Sequence, residues 1–255
     1  MKNRQTISPR WQTSVLSVAV LILLTSPAFA IYDSGSDGSL GDLILDGTET
    51  EVEIALPPNG VLNYENVSIA QEVTVTFIKN ADNTPVYLLA TGDILIEGII
   101  RLQEGDNVSG CNIHPFISWC GGEPPPGGFW GGFMQTPGQG PTGGIYTPSP
   151  VSTLPTERIL LRGGSGYGLS STSTGACWGV SGGGAITVAS SGSILLSGQI
   201  IAKSGSIRLI ADTISGNGTP QATGCNTGRV KMEAFLYEGS VVINANPDPT
   251  LSTPQ

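Results

Sequence analysis

Two stretches, GDILIEGIIRLQEG (Gly92–Gly105) and GSILLSGQIIAKSG (Gly192–Gly205), align without a gap at an offset of 100 residues. Six of the fourteen positions are identical: Gly92/Gly192, Ile94/Ile194, Leu95/Leu195, Gly98/Gly198, Ile100/Ile200 and Gly105/Gly205. Upstream, VYLLAT (86–91) resembles AITVAS (185–190), with one extra residue before the later glycine. The unit is a string of very short strands, apolar at alternate places and closed by Gly or Ser. A chain that repeats such a unit buries the same small residues at the same place each time. That favours stacked repeats over one irregular core.

In the second copy the strands read Ile186–Ala189, Ile194–Leu196, Gln199–Ala202, Ile207–Ala211 and Val230–Ala234. Strand openings recur at Ala185, Ser206 and Arg229, steps of 21 and 23 residues. That spacing fits one turn of a parallel β-helix, with three short strands and three corners per turn. In the first copy Val52, Ile54 and Leu56 alternate with Glu51, Glu53 and Ala55, and Val73, Val75 and Phe77 alternate with Thr74 and Thr76. These β-branched runs suit strands rather than helices. The expected fold is all-β: a single-stranded right-handed parallel β-helix with a long Gly/Pro-rich insertion. An antiparallel sandwich is the competing architecture, because short strands with Gly turns describe it too. Ile186, Val188, Ile194, Leu196, Ile200, Ile207 and Leu209 are expected inside, with Gly192–Leu196 and Ser206–Ile210 on adjacent turns or adjoining sides.

Residues 1–30 read as a secretory signal. Lys2, Arg4 and Arg10 precede the apolar run Val15–Leu24, and Ala28-Phe29-Ala30 supplies the small residues of a cleavage site. Cleavage would leave Ile31 first. The apolar run is short for a membrane span, and no later run approaches spanning length. A secreted or cell-surface protein follows, with no membrane span in the mature chain. Without Lys2, Arg4 and Arg10, eight Lys and Arg face 20 Asp and Glu. Such an acidic chain repels nucleic acid and anionic lipid.

Residues 31–50 form an acidic lead-in, 51–105 a first β-helix arm, 106–182 the insertion and 183–240 a second arm. The Pro-, Asp- and Thr-containing end, 241–255, is expected to be a disordered tail. The insertion sits at one corner of one turn, since the equivalent Gly205 passes straight to Ser206. It carries half of the chain's Phe, Trp and Tyr, including Trp119, Phe129, Trp130 and Phe133. So many rings either fold back against the coil or form a binding surface. Aromatic faces suit sugar rings, and Trp119 and Trp130 are the first candidates.

Four cysteines in an exported chain point to disulfides. Cys111 and Cys120 close a short loop, while Cys177 and Cys225 each precede a strand opening. Cys111–Cys120 with Cys177–Cys225 is the favoured pairing of the three possible. Zinc fits poorly, with His114 the only histidine and no paired C-x-x-C. DSGSDG (33–38) resembles the start of a calcium loop but has Gly35 and Ile44 where ligands belong, so it reads as part of a flexible acidic lead-in. The acids Asp93, Glu97, Glu104, Asp212 and Glu233 are scattered, and no pair is set for glycosidic chemistry. Arg229 and Lys231 share one strand face, as any exposed strand permits. No enzyme activity and no cofactor or metal are expected.

Several segments occur in a characteristic order: VTVTFIKNADNTPVYLLATGDILIEG, PPGGFWGG, ILLRGGSG, GGGAITVASSGSILLSGQI, GSIRLIADTISGNG and GRVKMEA. In this order the chain, from about Val61 to Ala234, resembles a class of secreted bacterial glycine-rich proteins. These look like right-handed parallel β-helices, akin in shape to filamentous-haemagglutinin and polymorphic outer-membrane adhesins. Cys111, Cys120 and Cys177 depart from the plain Gly and Ser runs of that class. The resemblance implies a structural or adhesive role without carrying over any catalytic residue. An extracellular glycan or another cell-surface protein is the expected partner, with carbohydrate binding or polysaccharide processing as the alternative function.

Overall fold

A computed structural model describes residues 32–102, 124–129, 183–223, 228–241 and 250–254. Strands β1 (Leu43–Leu45) and β2 (Glu51–Ala55) make the first rung. The second holds β3 (Val61–Tyr64), β4 (Val67–Ile69) and β5 (Thr74–Ile78). The third holds β6 (Val86–Ala90), β7 (Ile94–Ile96) and β8 (Ile99–Arg101). The fourth holds β9 (Ala185–Ser190), β10 (Ser193–Leu196) and β11 (Gln199–Ile201), and the fifth β12 (Ser206–Gly216) and β13 (Thr219–Gln221). A sixth begins with β14 (Arg229–Gly239), and β15 (Thr250–Ser252) lies beyond it. The described residues contain no helix. Every strand pairing is parallel, giving a β-solenoid of about five turns.

Three faces result. The first stacks β3, β6, β9, the start of β12, the start of β14 and β15. The second stacks β1, β4, β7, β10 and the later halves of β12 and β14. The third stacks β2, β5, β8, β11 and β13. Alternation places one set of side chains inside on every rung. Leu88, Val188, Leu209 and Met232 form one buried column, and Val67, Ile94, Ile194 and Ile214 another. The seven positions expected inside are all buried. Gly198 shows why glycine closes these strands, for a Cβ there would stand 1.9 Å from the Gly98 carbonyl oxygen of the rung before. Pro220 lies in β13, the last strand of the third face. Thr219 N–H donates back to Gly198 at 2.9 Å, so the alternating pattern turns the Pro220 nitrogen to the open edge, where no N–H is needed.

The offset of 100 is a physical register. Ile94 lies beside Ile194, and Ile100 beside Ile200. The strand openings Ala185, Ser206 and Arg229 also stack directly. Upstream the extra residue disappears: Val86 pairs with Ile186 and Ala90 with Ser190, again 100 apart. Pairing Val86 with Ala185 instead would turn the buried Val86 and Leu88 outward, since a one-residue slip exchanges the two faces of a strand.

Three further expectations change. β12 and β14 run on through the corner at Asp212 and Phe235, where no glycine or serine breaks them. Thr250–Ser252, within the expected disordered tail, instead pairs with Lys231–Glu233, because a bare parallel edge offers it hydrogen bonds. The acidic lead-in is also ordered, with Leu43–Leu45 pairing with β4.

Residues 32–41 form a strap along the coil axis, over the corner between the first and second faces. Tyr32 N–H donates to Asp212 Oδ1 at 2.7 Å, on the fifth rung. Ser34 Oγ–H donates to the Ala90 carbonyl at 2.7 Å, and Ser36 Oγ–H to the Tyr64 carbonyl at 3.0 Å. Leu40 N–H reaches the Asn63 carbonyl at 2.9 Å. Between these contacts Asp33 and Asp37 point outward and accept N–H groups two residues on. The DSGSDG run therefore serves as a staple, its oxygens satisfied by the chain itself.

The interior columns set an expected cost. Replacing Ile194 by Ala should destabilise by about 2–4 kcal/mol in urea titration. Leu195→Ala, next to it but outward, should cost well under half as much. Equal costs would contradict the assigned faces.

Candidate functional site

The insertion leaves after Leu102 and returns at Gly183. On the next rung the same corner reads Ala202-Lys203-Ser204-Gly205 before Ser206. Because Arg101 pairs with Ile201, Leu102 corresponds to Ala202. Because Ala185 pairs with Ser206, Gly183 corresponds to Ser204. Residues 103–182 thus take the place of Lys203 alone. The coil continues on both sides in unbroken register.

One piece of the insertion is described, Pro124–Phe129, and it is anchored at this corner. Gly127 N–H donates to the Asn83 carbonyl at 3.2 Å, and Asn83 Nδ2 donates to the Gly128 carbonyl at 2.8 Å. Asn83 adopts a left-handed φ of 47° to present these groups, a conformation Asn tolerates better than most residues. Ala185 N–H donates to the Pro126 carbonyl at 3.0 Å. On the following rungs the equivalent bonds run from Ser206 to Gly184 and from Arg229 to Gly205, rung to rung. At the insertion, then, Pro126 supplies the acceptor that the preceding rung supplies elsewhere. Pro124, Pro126, Gly127 and Gly128 are buried, and a Cβ on Gly127 would stand 3.1 Å from both Ala185 Cβ and Pro85 Cα.

Of the expected aromatic candidates, Phe129 is half-buried at this root. Trp119, Trp130 and Phe133 lie outside the described residues, as do Cys111, Cys120, Cys177 and Cys225, His114 and Glu104. Asp93 belongs to a polar column before the second face. Asp42 Oδ1 accepts Asn66 N–H and Nδ2–H, Asn66 Oδ1 accepts Asp93 N–H, and Asp93 Oδ1 accepts the Ser193 N–H and hydroxyl, at 2.8–3.1 Å. Each side chain caps the next rung, so Asp93 is occupied structurally. A Cβ on Gly192 would meet Asp93 Oδ1 at 2.5 Å and push that carboxylate off its Ser193 partners. Glu97 is exposed at a separate corner.

A second cluster, which the sequence reading left as scattered charges, lies on the outward side of the first face. Glu233 is only 3% exposed; its carboxylate accepts Arg208 Nε–H at 2.6 Å and Lys231 Nζ–H at 2.8 Å. Arg208 and Lys231 are direct partners across β12 and β14, which brings both cations to one carboxylate. Burial pushes the Glu233 pKa up, but the hydrogen bonds and charges of Arg208 and Lys231 outweigh it and hold the carboxyl below its ordinary value. Tyr32 of the strap sits beside this group: burial raises its phenol pKa, while Arg208 pulls it down. Arg229, the other cation expected on this strand face, lies two residues before Lys231 at the opening of β14. The step of 23 residues between strand openings already sets Arg208 against Lys231; what went unread was that Glu233 shares their outward side.

The chain matches no protein family, no curated protein and no solved structure. Its residues alone must carry the functional argument. Among the described residues no group of three or more His, Cys, Asp or Glu is placed to hold a metal ion. Glu233 is buried and paired with both cations, which makes the cluster a clamp between the fifth and sixth rungs.

Glu233 therefore generates a pH dependence. Its depressed pKa contributes stability above the ordinary Glu range, which is lost as pH falls through the lower folded value. Glu233→Gln should cost about 1–3 kcal/mol at pH 7 by chemical denaturation. The gap from the parent should close below about pH 4. A gap that is unchanged in acid would show that charge has no part in it.

Proposed function

We infer that the protein is an exported, surface-acting scaffold whose coil presents the insertion to another surface, in an adhesive or structural role. The observation that supports this most is the splice at Leu102 and Gly183: a long aromatic-rich segment replaces one corner residue and leaves the strand register intact. Such a scaffold holds the insertion's ends on adjacent rungs of a rigid wall, while Asn83 and Ala185 grip Pro126–Gly128. Function placed on a loop that rigid strands position is a common arrangement. The signal-like first 30 residues accord with export. The partner is a glycan or a protein of the surface that the scaffold meets.

A shortened variant tests this. Residues 103–182 are replaced by a single Lys, reproducing the 202–205 corner. It should fold cooperatively with β-type circular dichroism, because the coil's own ladder spans the junction. Its retention on cells and on glycan arrays should fall at least tenfold below that of the mature chain. Full retention by the shortened coil would overturn the role given to the insertion.

A further inference from the structure

The two ends of the coil differ in a way that specifies a partner. Residues 32–102 hold twelve Asp and Glu against Lys79 and Arg101. The described residues from 183 onward hold Asp212, Glu233 and Glu238 against Lys203, Arg208, Arg229 and Lys231. Within this, residues 32–60 carry seven carboxylates and no cation. The coil is thus strongly negative at its first rung and close to neutral at its last.

Apolar exposure also gathers at the ends. The exposed large hydrophobics include Leu40 and Ile44 at the first rung, with Ile44 60% exposed, and Phe235 (42%), Leu236 and Tyr237 at the sixth. At the first rung the inward residues Leu43, Leu45, Val52 and Ile54 are only half-buried, whereas Val67, Ile69 and Val75 stacked behind them are buried. At the other end Tyr237 occupies the inward column after Ile214, its hydroxyl donating toward Met232 and Ser252 carbonyls at 2.9 Å. Among the described residues β1 and β2 have no strand on their outer side, and β15 covers only Lys231–Glu233 of β14.

We propose that the coil associates head to tail with a second copy of this chain, the Phe235–Tyr237 end of one docking on the Leu40–Ile44 end of the next. The apolar residues at each end supply contact area, and the rung spacing is common to both. The charges supply direction. Carboxylates at a strand edge keep like edges apart, so two first rungs repel each other. The last end, close to neutral, does not repel the acidic one. A contact between unlike ends is heterologous and does not close, so it builds filaments rather than a ring or a two-fold dimer.

Sedimentation velocity of the mature chain tests this at low and high salt. Dimers and longer species are expected in about 20 mM salt and at least as strongly in about 500 mM, where repulsion between the acidic chains is screened while the apolar contact is kept. Ile44→Glu blocks one end and Phe235→Glu the other; both sites are exposed. Each variant alone should stay monomeric at tenfold higher concentration than the parent, and an equimolar mixture should form dimers and nothing longer. Leu40→Glu and Leu236→Glu repeat the experiment if either of the first pair misfolds by circular dichroism. A parent monomeric at both salts up to about 1 mM (an affinity weaker than about −4 kcal/mol) would overturn the proposal. So would association that neither variant weakens, or a mixture that stays monomeric.

Discussion

Everything in this protein depends on the parallel ladder between successive rungs. Neighbouring strands lie about 4.8 Å apart, and each contributes one narrow row of inward side chains. With so little width, no residue can compensate for a misplaced neighbour. Register must be held at every turn. The inward columns hold it by burial, and the corners hold it by close approach, as at Gly198 over Gly98. The Asp42–Asn66–Asp93–Ser193 column adds a second tie, in which each rung's side chain satisfies the next rung's backbone. The long second segment of this order survives an intervening insertion because the ladder needs only adjacent rungs, not adjacent sequence.

Much of this was legible in the sequence. The strands of the second copy, the seven interior residues and the insertion's corner were readable because alternation and glycine punctuation are direct consequences of a stacked coil. The slip between VYLLAT and AITVAS arose because similarity of residue type does not record parity. Only the buried side of Val86 and Leu88 does. β12 and β14 were read too short, since Asp212 and Phe235 offer no local mark of a corner. The strap was read as a flexible lead-in: Ser34 and Ser36 donate to the Ala90 and Tyr64 carbonyls and Tyr32 N–H to the Asp212 carboxylate, on three different rungs, and no local pattern announces so distant a set of partners. The Glu233 clamp was hidden for the same reason, its three charges coming together only once β12 lies against β14.

The structure separates tasks along the chain. The coil wall is closed by its own hydrogen bonds, and its polar groups are largely consumed in capping rungs. The strap ties early rungs to late ones, and the Glu233 cluster lies where the strap begins. The segment free to vary in content is the one spliced in at Leu102, held at its root by a Pro-Gly turn that imitates a ladder partner. A scaffold of this kind accepts a long, chemically rich segment without cost to its core, which supports the proposal that the insertion meets other surfaces.

The most direct measurement joins the two sides of that splice. Leu95 and Leu195 are register partners on adjacent rungs, both pointing outward from the second face. Stacked neighbours are within the Cα distance a disulfide accepts. In a Leu95→Cys/Leu195→Cys variant, peptide mapping after mild oxidation should recover the 95–195 bridge in nearly all molecules. Leu95→Cys with Ile194→Cys, whose side chain points inward, should give almost none. Absence of the first bridge, or equal yields from both variants, would contradict a coil that runs in register across the insertion.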